Sequence, residues 1–113
     1  MLTKAHRLNK QKDFDAVWQR GDLAQDNFLM IRFLPNHLRN SRFSVVISTK
    51  TAKKAISRNR LRRQLSEIIR LHSKNIAPGQ DFVLVVKAKL IGVGYQDIEA
   101  ILINLLKKKK LYA

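Results

Sequence analysis

Residues 42–87 decide the fold of this chain, and they read RFSVVISTKTAKKAISRNRLRRQLSEIIRLHSKNIAPGQDFVLVVK. Apolar and mostly polar residues alternate over residues 42–48, which predicts a strand with one face more buried than the other. The apolar period becomes helical over residues 55–72. Pro78 and Gly79 then precede the apolar run 81–87, which suits a strand covered on both faces. These patterns predict a strand–helix–strand unit.

Two more helices are predicted, one on each side of this unit. Residues 9–20 gather their apolar side chains near one helical face, with Asn9 as the N-cap and Gly21 as the C-terminal stop. In residues 95–110 the Ile and Leu side chains share one face, and acidic residues at the start and lysines at the end match the helix dipole. Ser57 is one candidate cap of the central helix.

The remaining elements are strands. Residues 28–34 are rich in β-forming side chains, and we expect them to pair with residues 42–48 as an antiparallel strand pair. A fourth strand falls either around Asn40 or within residues 21–26. The order α-β-β-β-α-β-α predicts an α+β fold in a single domain over residues 1–113. This fold is a two-layer α/β sandwich, in which a small mixed sheet of about four strands packs on helices and keeps its other face partly open.

Charge is the main feature of the composition. The 113 residues include 23 Lys and Arg against eight Asp and Glu, which gives a formal net charge of +15. An excess of this size indicates a polyanionic partner such as nucleic acid. There is no cysteine, and no apolar run reaches the roughly 18–20 residues of a membrane span. We therefore expect a cytoplasmic protein without a membrane partner.

The carboxylates and histidines do not form a catalytic constellation in the sequence. The acidic residues are scattered, and the close pair Asp13 and Asp15 points to different sides of a helix because of its i, i+2 spacing. His6, His37 and His72 are equally dispersed, and a lone histidine is more often a surface or half-buried side chain. We predict no catalytic residue and no metal site in this chain, so that any chemistry belongs to a partner.

A dense basic segment begins the central helix. Its arginines lie opposite or beside the stripe of Leu61, Leu65 and Ile68 on a helical wheel. Glu67 is the only acidic residue between Lys50 and Gln80, so the cluster lacks local compensation. Such density favours phosphate binding, although a solvated basic helix is the alternative. The cations are Lys50, Lys53, Lys54, Arg58, Arg60, Arg62 and Arg63.

With these motifs in order, the sequence resembles the bacterial ribonuclease P protein component over nearly its whole length. The matching stretches are RL at 7–8, DFDAVW at 13–18, RFSVVISTK at 42–50, AISRNRLRR at 55–63 and DFV at 81–83. A lone RNR motif is weak, whereas this ordered set at matching spacing, length and charge is strong. Lys53 and Ser66 depart from the family pattern, which commonly has Gly and Arg there.

The resemblance implies a function and a topology. It implies the protein subunit of the ribonucleoprotein that removes the 5′ leader from precursor tRNA, with the ribonuclease P RNA and precursor tRNA as partners and no obligate protein partner. The RNA subunit would cut with its Mg²⁺ ions, and the protein would lower the Mg²⁺ requirement. It also implies a left-handed strand–helix–strand crossover, against the usual right-handed one.

The resemblance also assigns residues to two surfaces. It implies that the signature residues and the lysines before them contact RNA, namely Arg58, Asn59, Arg60, Arg62 and Arg63 with Lys50, Lys53 and Lys54. It implies a leader-binding cleft between the first helix and the sheet, where aromatic faces suit unpaired bases. The cleft positions are Phe14, Trp18, Ile31, where the family has its sheet aromatic, and Tyr112. From spacing alone, Phe14 and Trp18 would be ordinary core residues.

Three other functions compete with this one. A ribosomal protein or general RNA chaperone is equally small and basic. A DNA-binding regulator could place the Arg-rich helix in a groove, but no dimerising heptad or short helix-turn-helix pair accompanies it. A protein-only nuclease is disfavoured by the scattered carboxylates.

Overall fold

A computed structural model describes residues 2–113 of the chain. Over these residues three α-helices surround one four-stranded sheet, and the order of elements is α-β-β-β-α-β-α. The elements are α1 (Gln11–Arg20), β1 (Asp22–Gln25), β2 (Leu29–Pro35), β3 (Arg42–Val46), α2 (Ala55–Leu71), β4 (Gln80–Val86) and α3 (Tyr95–Lys108). The predicted α+β class and element order are confirmed.

The strand order is β1-β2-β4-β3, so β4 lies between β2 and β3. β2 pairs antiparallel with β4, and β3 pairs parallel with β4. The predicted pairing of β2 with β3 is therefore wrong, because the most apolar strand takes the centre, where both of its edges and both of its faces are covered. The fourth strand is β1, within residues 21–26, and not around Asn40. The parallel pair joined by α2 is the predicted crossover unit, and its left hand stays a prediction.

Most of the core lies on one face of the sheet, beneath α2 and α3. Phe82 and Leu84 of β4 are fully buried there with Leu65 of α2 and Leu102 of α3. Phe82 also stacks on Phe43 of β3, with ring centroids 4.9 Å apart and planes within 8°. This face supplies the burial that stabilises the fold, and it leaves the charged side of α2 facing outward.

The opposite face is covered by α1 and by Leu8 just before it. Val17 of α1 and Val83 of β4 are fully buried in a second, smaller cluster with Leu8. α1 packs over β2 and β4, while Ser44 and Val46 on β3 stay half-buried. The face is thus partly open beside α1, where the cleft is predicted.

An ion-pair network fixes α1 on the sheet. Arg42 of β3 donates to both carboxylate oxygens of Asp81, at 2.8 and 2.7 Å, and to Asp13 of α1 at 3.2 Å. Asp81 is buried and also accepts a hydrogen bond from Asn36. The hydrogen bonds that Arg42 donates to Asp81 raise the pKa of Arg42 above its usual value. One arginine therefore connects α1, β3 and β4.

The helix ends differ partly from the expectations. Gly21 does end α1, but its backbone is extended, and a Cβ there would lie 2.3 Å from the Val17 carbonyl oxygen. Close backbone approach is thus the reason for glycine. Asn9 and Ser57 are not caps: the N-cap positions are Lys10 and Lys54, and neither makes a side-chain cap hydrogen bond. The caps fail because α1 begins two residues after Asn9 and Ser57 already lies within the first turn of α2.

Candidate nucleic-acid interface

The first half of α2 presents the basic side chains of the sequence signature. Asn59, Arg60 and Arg63 are exposed, and Arg58 and Arg62 are half-buried. Lys50, Lys53 and Lys54 are exposed in the loop before the helix. The structure therefore brings all eight predicted RNA-binding residues to α2 and the loop that leads into it. We call this surface the basic face of α2.

Arg58 differs from its neighbours because it holds the loop in place. Its Nη1 donates to the carbonyl oxygens of Ala52 at 2.8 Å and Lys53 at 3.0 Å. Hydrogen bonds from a charged donor stabilise more than neutral ones. Arg58 therefore ties the lysine-bearing loop to the first turn of α2, which presents Lys53 and Lys54 beside the helical arginines.

The basic face of α2 is not neutralised within the protein. In residues 2–113 no carboxylate oxygen lies within 4 Å of a charged nitrogen of its lysines or arginines. The carboxylates pair elsewhere: Asp13 and Asp81 with Arg42, Glu67 with Arg70, and Asp22 with Lys109. Hydrogen bonds from Arg70 lower the pKa of Glu67 and keep it charged near neutral pH, yet it compensates only Arg70.

The basic face is curved around α2. Arg60 lines a cavity with residues 91–94 of the loop before α3, whereas Arg62 lines another cavity with Arg7 and Ser44 at the outer edge of β3. The N-terminal end of α2 adds the positive end of the helix dipole, and its first turn contains no acidic residue. This arrangement suits an extended anion that wraps around the helix.

The cleft beside α1 presents one exposed aromatic ring. Phe14 and Trp18 stack with planes within 8° and centroids 6.1 Å apart. Phe14 packs partly against the small cluster of Leu8, Val17 and Val83, so it combines core packing with support of its neighbour. Trp18 remains 43% exposed, which leaves ring surface for an unpaired base. Of the two aromatic residues, Trp18 is the more accessible to a ligand, since Phe14 is half-buried.

Arg32 belongs to the same cleft, and the sequence analysis missed it. Its guanidinium carbon lies 5.0 Å from the centroid of the Trp18 ring, and its Nη2 donates to the Trp18 carbonyl oxygen at 2.8 Å. Its Nε is buried and has no hydrogen-bond partner in the described part of the chain. An arginine in a strand that otherwise reads as apolar was the available signal. The cleft therefore combines a stacking surface with a cation.

Ile31 and Tyr112 do not lie in this cleft. Ile31 is fully buried in the main core, because its side chain points to the α2–α3 face of β2 while Arg32 points to the other face. Tyr112 packs partly against the main core, and its hydroxyl bonds His72 Nδ1 at 2.8 Å, while Glu99 bonds Nε2 of the same ring at 2.8 Å. The assignment of both residues to the cleft is corrected.

Neither a membrane-spanning helix nor a cluster of metal ligands is found in residues 2–113. None of the helices in that range is both long and apolar enough to span a bilayer. Within the same range no three His, Cys, Asp or Glu side chains come together as a metal site would require.

Comparison with known proteins identifies relatives of the whole chain. A family model described as Ribonuclease P matches residues 2–110. The ribonuclease P protein component of Clostridium botulinum (strain Loch Maree / Type A3) is 34% identical over 110 residues, which cover 96% of this chain and 98% of the relative. That of Rippkaea orientalis is 36% identical over 115 residues, which cover 97% and 91%. The solved ribonuclease P protein of Thermotoga maritima superimposes with a TM-score of 0.83 at 31% identity, covering 90% of this chain and 96% of that one.

Proposed function

This chain belongs to the ribonuclease P protein family, the RNA-binding protein components of tRNA 5′ processing, and from that premise we propose how its two surfaces divide the work. The basic face of α2 binds the ribonuclease P RNA. The cleft at Trp18 and Arg32 binds the single-stranded 5′ leader of precursor tRNA. The protein acts in the cytoplasm as the subunit that binds, while the RNA subunit cuts.

The uncompensated charge of α2 carries the first half of this proposal. Seven lysines and arginines without a carboxylate partner in residues 2–113 repel one another until phosphates are bound. Each phosphate contact releases counterions, so RNA affinity falls steeply with salt. The helix, anchored on the core, and the loop that Arg58 ties to it hold these charges at fixed spacing, which favours one binding register on the RNA.

The exposed Trp18 ring supports the second half. A base can stack on an aromatic face whatever its sequence, which suits leaders of varied sequence. Arg32 lies beside the ring and supplies a positive charge for a leader phosphate. The cleft therefore binds an unpaired strand through its bases and its backbone together.

Mg²⁺ enters the proposal only through the RNA subunit. In residues 2–113 no three His, Cys, Asp or Glu side chains come together, which supports leaving the metal ions to the RNA subunit. Lysines and arginines that neutralise phosphates reduce the repulsion between two RNA molecules. The protein thus lowers the Mg²⁺ concentration needed for the RNA subunit to bind precursor tRNA.

Reconstituted cleavage tests this function. A precursor tRNA with a 5′ leader is incubated at low Mg²⁺ with a bacterial ribonuclease P RNA, with and without the protein, and the protein alone serves as control. We expect cleavage only when RNA and protein are combined. The variant R60Q/R63Q should need higher protein concentrations, whereas K12Q/K108Q removes the same charge from exposed sites on α1 and α3 and should behave as wild type.

Two results would overturn the proposal. Cleavage by the protein alone would assign the chemistry to this chain. RNA binding without any gain in cleavage would favour a ribosomal protein or general RNA chaperone.

A further inference from the structure

A second groove lies at the C-terminal end of α2, whereas the basic face occupies the N-terminal half of this helix. The groove is separate from the cleft at Trp18. Two adjoining cavities of about 200 and 220 Å³ share His6, Phe43 and Ser73. The first cavity also reaches Arg39 of the β2–β3 loop and Lys74 of the loop after α2. We call this surface the end groove of α2, defined by His6, Arg39, Ser41, Phe43, Ser73 and Lys74.

The end groove is cationic and lacks acidic residues in its walls. No Asp or Glu lines either cavity. Arg39 and Lys74 are exposed, and neither has a carboxylate within 4 Å in residues 2–113. Arg70 also lines the second cavity, but its charge is offset by Glu67. Two segments distant in sequence, the β2–β3 loop and the loop after α2, thus bring uncompensated cations to one groove.

The floor of the groove is apolar and its walls offer polar groups. Ile76 and Pro78 line the first cavity, and Leu2 and Ile69 line the second. His6 Nδ1 donates to the Ser41 carbonyl oxygen at 3.1 Å, which fixes the orientation of a ring that lines both cavities. An apolar floor between cations suits the sugars and bases of one strand with phosphates at the rim.

A third cavity connects the end groove with the basic face of α2. It holds about 200 Å³, shares Leu2 and Phe43 with the second cavity, and reaches Arg7 and Arg62. From Arg62 to Arg70 the helix rises by about 12 Å, which is enough for a few nucleotides. Through these shared residues the three cavities adjoin one another in series from Arg62 to Lys74.

From this continuity we propose that the end groove of α2 is a second site for single-stranded RNA, which binds the phosphodiester backbone of an unpaired segment adjoining the RNA held by the basic face. The identity of that RNA as the ribonuclease P RNA rests on the proposed function. The groove opens beside α2, whereas Trp18 lies on the α1 face of the sheet. Both sites can therefore be filled at once.

The salt dependence of RNA binding tests the site. The affinity for ribonuclease P RNA is measured by fluorescence anisotropy at several KCl concentrations for wild type, R39Q/K74Q, the charge-preserving R39K/K74R and the distant K12Q/K108Q. Loss of two phosphate contacts should reduce the slope of log K against log salt by about 1.4–1.8 in R39Q/K74Q only. An eight-nucleotide oligouridylate should lose affinity for that variant, while an RNA duplex of equal length should not.

A second measurement keeps the proposal testable independently of affinity. Because the chain has no cysteine, K74C carries a unique photo-crosslinker, and K54C provides a positive control on the basic face. We expect both to crosslink to RNA in the reconstituted complex. The proposal that the groove binds RNA would be overturned by an unchanged salt slope in R39Q/K74Q together with no crosslink from K74C, even if reconstituted cleavage succeeds. Failure of cleavage with wild type would overturn the proposed function instead.

Discussion

Replacement of Trp18 by alanine should separate leader binding from all other RNA binding. The ring is 43% exposed, stacks on the Phe14 ring and lies beside the Arg32 guanidinium. Those contacts are worth about 1–2 kcal/mol of folding free energy together, so the variant should fold. A base that stacks on an aromatic side chain loses about 1–3 kcal/mol when the ring is removed, which is roughly 5- to 150-fold in affinity.

The assay compares two ligands of the reconstituted complex. Precursor tRNA with a leader should bind about 5- to 150-fold more weakly to W18A, while mature tRNA, which has no leader, should bind as to wild type. W18F keeps a stacking surface and should recover most of the loss. Q19A alters an exposed neighbour on the same helix and serves as the control. An equal loss for both tRNAs, or none for either, would refute the reasoning.

Three further predictions concern the scaffold that presents the two surfaces. R58A should lower the free energy of unfolding by about 1–3 kcal/mol, because two charged hydrogen bonds to the loop are lost. R60A and R63A should change it by less than about 0.5 kcal/mol, and urea titration measures all three variants. G21A should cost about 1–3 kcal/mol, because its Cβ would lie 2.3 Å from the Val17 oxygen, while G94S has open space at the N-cap of α3 and should be neutral or stabilising in thermal unfolding. D81N should lower the free energy of unfolding by about 3 kcal/mol, since it leaves Arg42 without the buried carboxylate that it contacts twice. In a double-mutant cycle, D81N should destabilise the protein less when R42M is already present.

The elements with a strong period were predictable from the sequence. α2 and β4 follow their patterns to within one residue at each end, because burial of a continuous apolar face determines both. The pairing of strands was not predictable in the same way. β2 pairs antiparallel with β1 and also with β4, which follows about fifty residues later. Local patterns carry no information about which strand takes the centre of a sheet.

The site residues were predictable where charge alone requires exposure. The prediction failed where a shift of one residue determines which face of the sheet a side chain occupies. All of the basic residues of α2 lie on its accessible surface because they cannot be buried unpaired. Ile31 and Arg32 are adjacent in an uninterrupted β-rich run, and a shift of one position moves a side chain to the opposite face of the sheet. The partners of Tyr112 are distant in sequence, so its contact with His72 could not be foreseen.

The fluorescence of Trp18 tests the central claim most directly, because it is the only tryptophan of the chain. In one sample, ribonuclease P RNA is added to the protein and mature tRNA is added next. In a parallel sample, precursor tRNA with a leader takes the place of mature tRNA. The division of surfaces predicts little change on binding of the RNA subunit or mature tRNA, and strong quenching when the leader stacks on the ring. Quenching by the RNA subunit alone, or none with the leader, would contradict it.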